Sequence, residues 1–293
     1  MAIKKYVAEK DNTITNALGT DLKTRMTGSN MGAADILEVF SIYGQQTTSS
    51  AELSRALVQF PISTISADRT AGSIPASGSV NFFLRLFNAR HSEQLPENFT
   101  LNVLAVSQSW QEGTGLDMET YTDKTKDKIE GSNWVNRLSG TAWASVGGVY
   151  HSSSYVPSVT MPNYTADFPH GYEDLELDVT EAVEEWLAGE QENYGFGIFL
   201  TSSYEAFTTG SDSHVLNNPA GSKTSYYTKR FFSRSSEFFF KRPALEARWD
   251  SSKKDDRGNF FYSSSLAPPE DNLNKLYVYN YVRGRLRNIP NVG

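Results

Sequence analysis

"DVTEAVEEWLAGEQENYGFGIFL", residues 178–200, carries one helical period and then runs straight into a strand. Val179, Ala182, Val183, Trp186 and Leu187 stand at i, i+3, i+4, i+7 and i+8, a single apolar stripe on an α-helix. Asp178 with Glu181 three residues on has the pattern of a capping box, and Gly189 stands where a left-handed C-terminal residue belongs. The spacing predicts one short helix over about 178–188. After Gly195 the apolar residues alternate instead, with Phe196, Ile198 and Leu200 on one face of a strand.

The same alternation governs most of the chain. It recurs in "SRALVQF" (54–60), "VNFFLRLFN" (80–88), "LNVLAVSQSW" (101–110) and "ALEARWD" (244–250), each bounded by turn residues. The spacing of these strands, without intervening helices, argues against βαβ units. The expectation is an all-β, jelly-roll-like antiparallel β-sandwich. The single helix caps one open end, with Trp186 as its plug.

The 293 residues suffice for one large β domain with a substantial core. A net charge of −7 argues against a nucleic-acid coat, which needs clustered cations to displace counterions. With no cysteine there are no disulfides and no thiolate metal sites, in keeping with synthesis in a reducing cytoplasm. "MAIKKYVAEKDNTITNA" lacks the apolar stretch of a signal peptide, and no run of apolar residues is long enough to span a bilayer.

Between the strands lie long Gly-, Ser- and Asn-rich stretches at 111–174 and 203–230. They contain Trp134, Trp143, Tyr150, Tyr155 and Tyr164, aromatic side chains suited to stacking on sugar rings or to burial at a subunit contact. After Asp250 a polar linker leads to "KLYVYNYVRGRLRNIPNVG". There Tyr277, Tyr279 and Tyr281 alternate with aliphatic residues, and Arg283, Arg285 and Arg287 fall on one side of an extended chain. This division predicts a jelly-roll domain over 1–250 and, over 251–293, a docking arm that adds to a partner by strand pairing or groove insertion.

Catalytic patterns are weak. Asp117 and Glu119 would share a face if extended, as a glycosidase pair must, but Gly113 and Gly115 mark that segment as a turn. His91, His151, His170 and His214 are scattered, with no metal-ligand spacing. There is no Gly-x-Ser-x-Gly, and no Lys-Ser/Thr follows "TGSNMG". Oxygen-rich turns at Glu9, Asp11 and Asn12, or at Asp212, could hold a structural Ca²⁺, although Asp and Asn also initiate turns on their own account. No other cofactor is expected.

Taken in order, several segments resemble the DNRLRE-type domains, grouped with carbohydrate-binding modules and found in surface and virion proteins. They are "EKDNTI" (9–14), "SNMGAADILEV" (29–39), "SRALVQFPI" (54–62), "VNFFLRL" (80–86), "SWQEGTG" (109–115), "LDVTEAVEEWLAGEQENYGFGIFL" (177–200) and "FFSRSSEFFFKRPALEARW" (231–249). The resemblance implies a jelly-roll-like fold. Its nearest look is to structural proteins of tailed bacteriophage virions, made in the host cytoplasm and assembled without secretion. The expected function is therefore a non-enzymatic head, neck or tail accessory or decoration component. Its partners would be other virion proteins and copies of itself, with no membrane contact. The alternative is a carbohydrate-binding module recognising host-surface glycan.

Overall fold

In the computed structural model, residues 2–42, 51–90, 96–118, 131–151, 161–209, 212–252, 265–266, 268–271, 273–287 and 289 are described. Residues Ile3–Trp249 form one compact unit, and Asp250–Gly293 with Met1–Ala2 form another.

The alternating segments become strands. In chain order these are β1 (Ala2–Val7), β2 (Lys10–Thr15), β3 (Ile36–Ile42), β4 (Glu52–Gln59), β5 (Asn81–Leu86), β6 (Phe99–Ala105), a small hairpin of β7 (Asn136–Leu138) and β8 (Thr141–Ala142), β9 (Tyr164–Phe168), β10 (Leu175–Asp178), β11 (Phe196–Leu200), β12 (Tyr226–Phe232) and β13 (Ala244–Trp249). One sheet runs β1-β13-β5-β10. The other runs β12-β3-β4-β11-β6-β9, with β2 also along β4. Pairing is antiparallel, as in Leu175↔Leu86 and Leu245↔Leu84 of the first sheet and Phe196↔Val58 and Ile198↔Val103 of the second. The protein is all-β, with its antiparallel sheets in a curled, sandwich-like arrangement.

The period of two decides what each sheet buries. Phe82, Leu84 and Leu86 of β5 and Leu245 of β13 meet Val39, Val58, Val103 and Ile198 in the core between the sheets. The alternate positions of the second sheet are apolar as well. Leu53, Leu57, Leu104 and Phe199 point the other way, into a second apolar cluster with Trp110, Trp134, Trp143, Val149 and Tyr150. The stretches between strands supply this cover. They are a packed third layer.

The opening stretch folds as α2 (Thr180–Ala188), which buries Ala182, Val183 and Trp186. The Trp186 ring lies 4.8 Å from that of Phe196, so the expected plug is in place. Gly189 adopts φ 75°, and the amides of Gly189 and Glu190 donate to the Trp186 and Glu185 carbonyls, a Schellman ending. The start differs from expectation. Val179 is the N-cap and no capping box forms. Asp178 instead accepts from the Thr180 amide, and the Ala182 amide donates to the Tyr164 hydroxyl.

A second helix, α1 (Ile62–Thr70), corrects the expectation of a single one. The strand read over 54–60 stops at Gln59, and Pro61 opens the helix. Only Ile65 of α1 is buried, so no apolar stripe announces it. It packs beside α2, where Arg69 grips Glu184 bidentately at 2.8 and 2.6 Å.

Candidate functional site

Three of the five aromatic residues expected to form a glycan or subunit surface lie inside the fold. Trp134, Trp143 and Tyr150 are buried, which corrects their assignment as exposed platforms. The apolar outer face of the second sheet has to be covered, and these rings cover it. Their polar atoms are used internally: Trp134 Nε1 donates to the His214 carbonyl (2.9 Å), Trp143 Nε1 to Asn133 (2.9 Å) and the Tyr150 hydroxyl to Gly147 (2.8 Å). Burial pushes the Tyr150 phenol up to about 12. Tyr164 is half-buried with its hydroxyl on the start of α2. Tyr155 lies outside the described residues. Tyr172, by contrast, is exposed and stacks on His170 at 5.7 Å.

Within the second cluster sits a buried ion pair. Arg55 of β4 donates to Glu205 Oε1 at 2.9 Å and to the Gly147 carbonyl at 3.1 Å. Its guanidinium carbon lies 4.5 Å from the Phe199 ring centroid and 5.5 Å from that of Trp134. Burial is the largest single influence and works against its charge, but Glu205 and Tyr150 together outweigh it and hold Arg55 above its ordinary range.

The oxygen-rich positions are mostly used internally as well, although Asp11 Oδ1 is buried without a hydrogen-bond partner. Asn12 Nδ2 donates to the Ser132 carbonyl at 2.8 Å, and its Oδ1 accepts from the Met31 amide at 3.0 Å. Asp11 Oδ2 accepts from the Arg234 amide, while the Arg234 side chain holds Glu112 at 2.9 and 2.7 Å. Glu9 is exposed, and Asp212 pairs with Arg25 at 2.8 Å. Among the described residues no group of three or more His, Asp or Glu converges as a metal site would require. Asp117 lines a cleft of about 500 Å³ with Met31, Ile36, Glu38, Leu116 and Met118. Glu38 there is tied to Arg230 at 2.6 Å. Glu119 and His91 lie outside the described residues.

What remains exposed and apolar is concentrated in the C-terminal unit, considered by itself. Leu273, Leu276, Val278, Tyr279, Tyr281, Val282, Leu286 and Ile289 are all exposed, and Tyr277 is half-buried. The tail is not the continuous extended strand expected. It forms a hairpin of β14 (Tyr281–Val282) and β15 (Arg285–Leu286), because Arg283 and Gly284 take φ 52° and 74°, the left-handed pair of a two-residue I′ turn. The Arg287 amide extends the ladder to the Asn280 carbonyl at 2.8 Å.

The turn rearranges the basic side. Cross-strand partners share a face, so Val282 and Arg285 lie with Asn280 and Arg287, while Tyr281 and Leu286 lie opposite. Arg283 sits in the turn and leaves the row of three. A concavity of about 450 Å³ is lined by Val278, Tyr279, Asn280, Leu286, Arg287 and Ile289.

One exposed feature was missed in the sequence. Phe238, Phe239 and Phe240 form a knuckle around a 3-10 turn on the first unit, Phe240 being 87% exposed. Lys241 lies 4.9 Å from the Phe232 ring and Arg242 5.3 Å from that of Phe239. The run of three Phe before Lys-Arg-Pro is its signal in the sequence. Among the described residues no helix is long and apolar enough to cross a membrane. No protein-family model matches this chain, and no curated protein matches it.

Proposed function

We propose that this chain is a non-enzymatic structural protein of a bacteriophage virion, a head, neck or tail accessory or decoration component that fastens itself through its C-terminal unit. The observation that carries the reading is the set of eight exposed apolar side chains between Leu273 and Ile289, three of them on the hairpin. Each such side chain contributes about 2 kcal/mol when a partner buries it. Four or five of them outweigh a good part of the loss of translational freedom and the ordering on docking. Arg285 and Arg287 beside Val282 give the surface a charged edge that selects acidic partners. The virion assignment itself rests on the resemblance to DNRLRE-type domains.

Sedimentation of the full chain against a 1–249 truncation tests the docking role. The full chain is expected to assemble into defined species at micromolar concentration, or to cosediment with particles from the culture that expresses it. The truncation stays a folded monomer and does neither. Identical behaviour of the two proteins overturns the reading. Retention of the truncation on a host-glycan array would instead favour sugar binding, for which exposed Tyr172 on His170 is the structural support.

A further inference from the structure

Lys229 is 1% exposed, although it stands in β12 among aromatic residues. Its amine lies 4.7 Å from the Phe168 ring centroid and 5.1 Å from that of Phe231. Nζ reaches Asn88 Oδ1 at 2.8 Å, the Gly171 carbonyl at 2.9 Å and the Glu173 carbonyl at 2.6 Å. Asn88 belongs to the other side of the sandwich, two residues past the end of β5. It is held against β12 by an isolated bridge to Phe231 and by the Ala89 amide on the Arg230 carbonyl, and its own amide donates to Asp174 Oδ1, just before β10, at 2.8 Å. Amine and carboxamide are therefore fixed in contact by backbone on both sides.

A buried carboxyl group stands nearby, beyond ion-pair distance of the amine. Glu173 Oε1 accepts from the His170 amide at 2.8 Å, and Glu173 Oε2 is buried with no hydrogen-bond partner. Its charge acts on Lys229. Burial lowers the Lys229 amine to about 8, so a sizeable fraction is neutral, and nucleophilic, near that pH.

From this geometry we infer that Lys229 and Asn88 join in a self-made isopeptide bond, with Glu173 relaying protons, so that the two sheets are covalently clamped. The Glu173 side chain swings onto the amine, and the ammonium passes a proton to its carboxylate. The free Nζ pair then attacks Asn88 Cγ, forming the C–N bond while protonated Glu173 gives its proton to the carbonyl oxygen. Glu173 carboxylate takes a proton from Nζ and delivers it to Nδ2. The C–Nδ2 bond breaks, the hydroxyl proton returns to Glu173 and ammonia departs. Amine plus carboxamide become secondary amide plus ammonia, with no oxidant and no external cofactor. The competing account is an ammonium satisfied by three acceptors, a clamp of hydrogen bonds alone.

Intact-mass spectrometry of the purified full chain, held at pH 8, separates the two. The clamp predicts a mass short of the sequence value by about 17 Da, the ammonia lost in the covalent step. Digestion must then yield a branched peptide joining the segments around residues 88 and 229. Asn88→Ala and Lys229→Arg are expected to show the full mass. Glu173→Gln should also keep the full mass, with an unchanged circular dichroism spectrum. A native protein of full sequence mass overturns the inference, whether or not the variants fold. A deficit confined to one unbranched peptide, as from a succinimide, overturns it too. A branched peptide in Glu173→Gln overturns the relay role of Glu173.

Discussion

Glu205→Gln isolates the energetics of the third layer. The substitution keeps side-chain volume and leaves Arg55 buried without its counter-charge. Removing one partner of a buried pair costs about 3–5 kcal/mol. Arg55 keeps the Gly147 carbonyl and the Phe199 and Trp134 ring faces, which places the loss at the low end, about 3 kcal/mol. In a unit of this size that corresponds to a melting point lower by about 6–12 °C. Urea unfolding followed by tryptophan fluorescence reads it directly, because Trp134 lies in the same cluster. Arg55→Met combined with Glu205→Gln should recover much of the loss. It removes both charges and also the buried Arg55 Nε, which has no partner. Two results refute the reasoning: a loss under about 1 kcal/mol for the single variant, or a double variant no better than the sum of the singles.

Other outcomes follow from single contacts. Burial pushes Asp11 up to about 7, so between about pH 4 and 7 the folded state holds a proton that the unfolded state releases. Stability contributed by this group is full below about pH 4 and falls as pH rises to about 7, by up to about 4 kcal/mol. Asp11→Asn should flatten that slope in denaturation midpoints measured across the window, and an unchanged slope counts against the assignment. At Gly197, a Cβ would meet Tyr150 Cε1 at 2.0 Å within a packed cluster. Gly197→Ala should therefore lose about 1–3 kcal/mol. Adding Tyr150→Leu should relieve part of the strain, and strictly additive losses would exclude the clash.

The sheets and α2 were legible because their apolar periods are regular and set by burial on a defined face. Phe82, Leu84 and Leu86 can be read off β5 without knowing what they touch. The Trp186 stripe is equally local. α1 was not legible, since a helix that buries only Ile65 carries no period. The loops misled for a different reason. Gly, Ser and Asn describe backbone conformation and say nothing about whether Trp134 or Tyr150 faces water. A usable sign did exist: Leu57, Leu104 and Phe199 occupy the positions that a one-sided sheet would give to polar residues, so something apolar had to lie over them. Lys229 shares the parity of buried Phe231, and a cation on an inward position was the corresponding sign there. The arm's turn could have been read from Arg-Gly between short alternating runs, but the longer alternation of tyrosines dominated.

Loops that serve as core change where the chain can be engineered. Tags and fused domains are normally placed in Gly- and Ser-rich connections, on the assumption that nothing folded depends on them. In this protein the connection around Gly147 and Gly148 lies against the rings of Trp134 and Tyr150, and an insertion there would open the hydrophobic interior. Residues 76–79, exposed and past the buried Ile74, with open space at Gly78, are a permissive site for a label.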